Sequence, residues 1–413
     1  MKNYISLAFS LLILNISAQE ADSVFLQTGY SNQSYYNLNT GEVANIDNND
    51  WDLAFSSGGY GSAIRINSQA NIKLYTYPNG AINDWSTLDT VGISSWKALQ
   101  NSDTSWSVGA FNSSADASNG MDLGWGIYST ITHHITGDSL HVIKLSNGDY
   151  KKLQMIKLAS GTYNFKYANL DGSNEVVTSV SKTAYNTKNF GYYSIQNETE
   201  LDREPTSSNW HIVFTKYVTK LGSGTMYGVT GVLSNKDIQI AKAENVDVNN
   251  VDHNSHSFVS PINSIGYNWK SFNMSSFSYD IQDSLCYFVK DISENIWKIQ
   301  LTGFEGSSTG KINFIKESIV SANTMDMDEI NSFTIYPNPS TNKEVTILYD
   351  VNNHSTDNYL NIYNANGSLV DTHKLNSIGF TQKKISLSHL NSGVYFVNFI
   401  CGNSRITEKL IVQ

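Results

Sequence analysis

Asp50-Trp51-Asp52-Leu53-Ala54-Phe55 and Asn209-Trp210-His211-Ile212-Val213-Phe214 are two versions of one strand signal within a chain of 413 residues. A tyrosine pair precedes each, in Tyr35-Tyr36-Asn37-Leu38 and in Tyr192-Tyr193-Ser194-Ile195. Further along, Val91-Gly92 and Trp96-Lys97 match Ile265-Gly266 and Trp269-Lys270, and Asp138-Ser139-Leu140-His141 matches Asp283-Ser284-Leu285-Cys286. Tyr150-Lys151-Lys152-Leu153 and Gly161-Thr162-Tyr163-Asn164-Phe165 then answer Trp297-Lys298-Ile299 and Thr309-Gly310-Lys311-Ile312-Asn313-Phe314. Matched elements in one fixed order indicate an internal duplication. Apolar and polar residues alternate at period two, without a long helical period, so each unit should be mainly antiparallel β. The units are placed at 19–172 and 173–320, with their junction near Asp171–Lys188, where Asp, Gly, Ser, Asn and Thr crowd together. Trp51 and Phe55, like Trp210 and Phe214, stand at i and i+4 and should share one core-facing side of their strands. His211 is expected on the surface.

The tryptophan-led strand, Gly148-Asp149-Tyr150-Lys151-Lys152-Leu153 and Gly161-Thr162-Tyr163-Asn164-Phe165 together resemble the HmuY-like family of secreted haem-binding proteins. The resemblance extends to both units. It implies their fold, and it implies haem as a cofactor. The family's ligands do not carry over by position, because they fall in the variable middle of each unit.

A third domain is written into the C-terminus. Phe333-Thr334-Ile335-Tyr336-Pro337-Asn338-Pro339 opens it, and Leu390-Asn391-Ser392-Gly393-Val394-Tyr395-Phe396-Val397 with Lys409-Leu410-Ile411-Val412 closes it. Between them, alternating segments separated by turns such as Asn364-Ala365-Asn366-Gly367 predict a small immunoglobulin-like β-sandwich over 331–413. The combination resembles the type A C-terminal sorting domain of the type IX secretion system. Tyr336, Pro337, Asn338, Pro339, Gly393 and Tyr395 carry the motif. The resemblance implies that the secretion machinery is a partner, and that the protein is secreted or attached to the outer cell surface after passing the periplasm. At the other end, Lys2, the apolar run Ile5–Ile16 and small residues before Gln19 predict a signal peptide, 1–18, cut between Ala18 and Gln19. Residues 321–330 have the acidic, small-residue composition of a tether.

Composition agrees with an exported all-β protein. The chain has 24 Tyr, 17 Phe, 8 Trp and 28 Gly but only 15% charged residues, which suits aromatic strands joined by short turns. A formal net charge of −10 without a basic stripe argues against a nucleic-acid partner. No stretch after the signal is long and apolar enough to cross a membrane as a helix. Cys286 and Cys401 are the only cysteines, and removal of the sorting domain leaves Cys286 alone. Core burial, not a disulfide, must therefore hold the mature body together.

The units differ most in their middle, where the first carries an insertion containing Trp106, Met121, Trp125, Tyr128, His133 and His134. If Ile127–Ile135 and Leu140–Leu145 form a hairpin over Gly137-Asp138, His134 faces His141 with Cβ atoms about 5 Å apart, and His133 projects to the other side. Two imidazoles so placed can chelate one transition metal. They cannot be the two axial ligands of one haem, which approach the iron from opposite sides of the ring. A haem site therefore needs one imidazole from this hairpin and a second ligand such as Met121, with Trp106, Trp125 and Tyr128 as candidates to pack the porphyrin. His253 and His256 in Asp252-His253-Asn254-Ser255-His256 form a further metal candidate, without an evident fourth ligand.

The chain contains no HExxH or P-loop motif, so catalysis is not expected. The sequence points to a surface protein that captures a ligand, with haem or a haem protein as partner. The alternative is a non-enzymatic adhesion protein that presents aromatic side chains to glycans or proteins without a prosthetic group.

Overall fold

Period-two alternation is realised as strands throughout the computed structural model, which describes residues 19–319, 330–351, 358–375, 379–401 and 404–413. The expected signal peptide, 1–18, and residues 321–329 of the expected tether lie outside the described residues. Among the described residues the helical segments are short 3-10 turns only, and the strands of every sheet pair antiparallel. The chain divides into two units, 1–320 and 321–413, and each is described separately.

The first unit contains two sandwiches of the same plan. One five-strand path runs Val176–Ser181, Thr162–Asn169, Tyr150–Ala159, Leu140–Lys144, Lys73–Thr76. Its counterpart runs Glu20–Phe25, Lys311–Ile319, Ile296–Phe304, Leu285–Lys290, Gln239–Glu244. Each faces a four-stranded sheet. Thr199–Leu201, Phe190–Ser194, Leu53–Ser56, Ile64–Ile66 form one, and Gly41–Asp47, Asn32–Asn37, Ile212–Lys220, Met226–Ser234 form the other. Even the bulges correspond, at Met155/Lys157 and at Leu301/Gly303.

Strand alternation delivers the same aromatic triad to both cores. In Thr162–Asn169, Tyr163, Phe165 and Tyr167 turn inward, and Phe165 meets Phe55 at 5.1 Å and the edge of Tyr193 at 5.2 Å. In Lys311–Ile319, Phe314 meets Phe214 at 5.2 Å and the edge of Tyr36 at 5.1 Å. Each such buried ring contributes roughly 1.5–3 kcal/mol by leaving water, and edge-to-face contact adds to that. One core gathers Leu53, Phe55, Trp125 and Ile143, the other Tyr36, Phe214, Trp269 and Leu285.

The strand pairing does not follow a division at 172/173. Strands 20–47 close the sandwich built from 212–319, while strands 176–201 close the one built from 53–169. The two halves exchange three strands reciprocally, and the connections at 48–52 and 202–211 cross between them. This crossing also alters the expected faces. Phe55 enters the first core, but Trp51, ahead of the strand proper, packs edge-on against Tyr192 in a separate cluster. Trp210 likewise leaves Phe214 and packs on Tyr35. His211 is buried, contrary to its expected surface position: its Nδ1 accepts the Leu38 N–H at 3.1 Å and its ring lies 4.8 Å from Trp297.

The second unit is a sandwich of three strands (Ile330–Tyr336, Glu344–Val351, Gly379–Ser386) and four (Leu369–Leu375, Asn358–Asn364, Gly393–Cys401, Ser404–Val412) around one core. Gly393 pairs with Val412 and Phe396 with Lys409, so the last strand is a full member of the sheet. Asn338 joins the opening motif to the closing one. Its amide donates to the Lys409 carbonyl at 2.5 Å and its oxygen accepts from Ile411 N–H at 3.0 Å. Ser340 and Gln413 extend the seam through backbone bonds, and Tyr395 donates its hydroxyl to Asn391 O at 2.9 Å.

Candidate functional site

A cavity of about 580 Å³ opens on the first half, between the Gly58–Gly61 turn and a hairpin formed by Gly126–Tyr128 and Ile135–Gly137. The hairpin turn is built locally. Ser129 N–H donates to His134 O, His133 N–H returns to Ser129 O, and the Ser129 hydroxyl accepts from Ile131 and Thr132 N–H. His133 takes a left-handed backbone, φ 57°, which closes the turn. The Tyr128 hydroxyl and His133 Nδ1 lie 2.8 Å apart, so the phenol fixes the ring and leaves Nε2 free to bind. His134 lines the same cavity beside Leu123, Ile135 and Leu158. Lys182 supplies a cation at the wall, where its ammonium donates to Gly59 O at 2.9 Å and to Gly61 O. Burial and the nearby Lys236 charge lower its pKa.

The expected pairing of His134 with His141 does not occur. Ile135–Gly137 and Leu140–Lys144 do not form a hairpin with each other. Both run along Tyr150–Ala159, at Lys157–Leu158 and at Tyr150–Gln154 respectively. Gly137 serves close approach instead of a two-residue turn: a Cβ there would lie 1.7 Å from Met155 O. His141 is fully buried against Phe111 at 4.9 Å, and neither ring nitrogen has a hydrogen-bond partner. Burial lowers its pKa to about 4.

The other candidates disperse. Trp125 is a fully buried core residue whose indole donates to Ser62 O at 3.1 Å. Trp106 belongs to a different cavity. Met121 is exposed, and the cavity wall carries Gly120 rather than its side chain. His253 and His256 both pack on Phe288, and Asp252 is occupied in capping Asn254 N–H. No group of three or more His, Cys, Asp or Glu side chains suited to a metal occurs among the described residues. Cys286 is buried, and burial raises its thiol to about 11, far from a reactive thiolate.

A second cavity of about 90 Å³ lies where the two four-stranded sheets meet, lined by Tyr35, Trp51, Arg65, Trp106, Tyr192 and Glu204 among others. Glu204 is buried and accepts from Asn189 N–H, Phe190 N–H and the Tyr192 hydroxyl, at 3.2, 3.2 and 3.1 Å. Burial nevertheless pushes its carboxyl up to about 7. Arg65 gives its guanidinium to the carbonyls of Ser102, Ser105 and Val108 and stacks over Trp106. The sequence offered no signal for this junction, because it exists only through the strand exchange.

Comparison with known proteins bears on both ends of the chain. Residues 29–168 match the model of a family described as HmuY protein, and 334–413 match the secretion system C-terminal sorting domain. The C-terminal unit is thus a sorting domain of the type IX route, and the protein is exported to the cell surface or secreted. No curated protein matches. Among solved structures, dimeric latent PorU from Porphyromonas gingivalis aligns at 8% identity with a TM-score of 0.17, over 95% of this chain and 34% of that one. The chain thus spans about a third of that protein's length, and the similarity is too slight to bear on fold or function.

Proposed function

We propose that the protein captures an iron porphyrin outside the cell, in the 580 Å³ cavity of its first half, and that it performs no catalysis. One observation carries this reading: an imidazole with a fixed ring and a free Nε2 faces an open cavity inside the segment that matches the HmuY family. That family is associated with haem. The donor set suits the group, because the cavity is of ligand size and combines apolar wall, imidazole and cation. His133 would hold the iron, Leu123, Ile135 and Leu158 would cover the ring, and Lys182 would attract the propionates. Bound haem would supply only coordination to iron.

The matched strand paths and aromatic triads support reading the body as a duplicated HmuY-like unit. Among the described residues the strands of the second half include no counterpart of the histidine hairpin, so capture is assigned to the first half alone. Titration of the mature protein with haemin tests the proposal. A saturable Soret shift that weakens in His133→Ala and survives in His253→Ala is expected. A wild-type protein that produces no shift would rule it out.

A further inference from the structure

His133 and His134 are neighbours in one turn, so they cannot reach an iron from opposite sides of a porphyrin plane. The cavity itself presents another donor. Tyr60 lines it from the tip of the turn Ser57-Gly58-Gly59-Tyr60-Gly61-Ser62, and its side chain is completely exposed at 106% of the reference area. No hydrogen bond or ring contact engages it. Single exposed apolar side chains are ordinary on protein surfaces, so what marks Tyr60 is its place on the wall of the cavity that His133 and His134 also line.

The turn beneath Tyr60 is held firmly. Gly61 N–H donates to Gly58 O at 2.9 Å and Ser56 N–H to Ala63 O at 2.9 Å. The Tyr163 hydroxyl donates toward Ser56 O and Gly61 O at 3.1 and 3.2 Å, and Lys182 clamps Gly59 O and Gly61 O. Gly59 has φ 40°, which lets the turn project its tip. A fixed base thus holds one exposed phenol at the rim of a cavity that His133 and His134 also line. The corresponding turn of the second half, Leu221-Gly222-Ser223-Gly224-Thr225, has no aromatic residue.

From this juxtaposition we infer that Tyr60 would join His133 in holding the iron. The inference rests on the haem reading above. Tyr60 would give up its O–H proton to solvent and donate an oxygen lone pair to the ferric iron, whose oxidation state is unchanged. A phenolate is a hard anionic ligand and favours ferric over ferrous iron.

The test is haemin titration of the mature full chain and its Tyr60→Phe and Tyr60→Ala variants, followed by absorption and electron paramagnetic resonance. Full exposure of the ring means that neither change disturbs packing. Tyr60→Phe should still bind haemin, with ferric affinity reduced roughly tenfold or more, and should lose the phenolate-to-iron charge-transfer band. Ferrous haem affinity should change little. A wild-type spectrum retained in both variants would overturn the Tyr60 assignment and leave the haem reading standing. Failure of the wild type to bind haemin would overturn both.

Discussion

Glu204→Gln should remove one defined slope from the stability of the body. The wild-type carboxyl has a pKa of about 7 in the folded protein against an ordinary 4.5, and burial is the main cause. Between those values the folded protein keeps a proton that the unfolded chain has released. The associated stability is complete below pH 4.5 and is lost as pH rises through about 7. At about 1.4 kcal/mol per pH unit, the linkage amounts to about 3 kcal/mol. Glutamine keeps one oxygen to accept from Asn189, Phe190 or Tyr192 but turns an NH2 toward another donor, which adds a pH-independent penalty. Urea unfolding followed by tryptophan fluorescence, from pH 4.5 to 8, should show the wild type's advantage shrinking by about 3 kcal/mol across that range. Other titrating groups are common to both proteins and cancel in the difference. Parallel stability curves would refute the placement of a buried, protonatable carboxyl at the junction of the sheets.

His141→Leu should show the opposite sign over nearly the same pH window, because the folded imidazole is lowered to about 4 from 6.5. Wild-type stability should fall by about 3 kcal/mol more than the variant's as pH drops from 6.5 to 4, measured by urea unfolding. Asn338→Ala removes two bonds to the final strand and should destabilise the sorting domain by about 1–2 kcal/mol, read from its thermal unfolding. Deletion of 409–413 should leave the protein in the periplasm, and normal surface delivery in a cell-fractionation assay would contradict the role of that strand. A fragment of residues 48–201 holds every strand of one sandwich and should unfold cooperatively, whereas 19–172 should not. Equal cooperativity of the two fragments by circular dichroism would contradict the strand exchange.

Much of the fold was legible because alternation and turn chemistry act locally. The sorting sandwich follows from its strand runs and from Asn364–Gly367, where Gly367 adopts φ 79°. The repeated motifs likewise announce matching strands. What they cannot announce is which copy supplies each partner, since Tyr35-Tyr36 and Tyr192-Tyr193 offer the same surfaces to either half. The candidate site failed in one instructive place. Gly137-Asp138 has the composition of a hairpin loop, but the bulge at Met155/Lys157 lets two short strands lie end to end along one neighbour. Turn chemistry competed there with a long-range partner, and the partner prevailed. Tyr60 stayed hidden because nothing in Gly58–Gly61 shows that the turn lines one cavity with residues 133 and 134.

The reciprocal exchange has a consequence for the timing of assembly. Glu20 finds its partner at Lys316, so the earliest strand made waits for the latest one. Contacts this distant in sequence are slow to close, because loop entropy is spent before any packing is gained. While the ribosome is still at work, the leading strands have no sheet to join, and the second sandwich cannot be completed. In an emerging chain the sandwich of 53–201 can close first, while strands 20–47 stay unpaired until 212–319 have been made, so the first strands synthesised are the last to be sheltered.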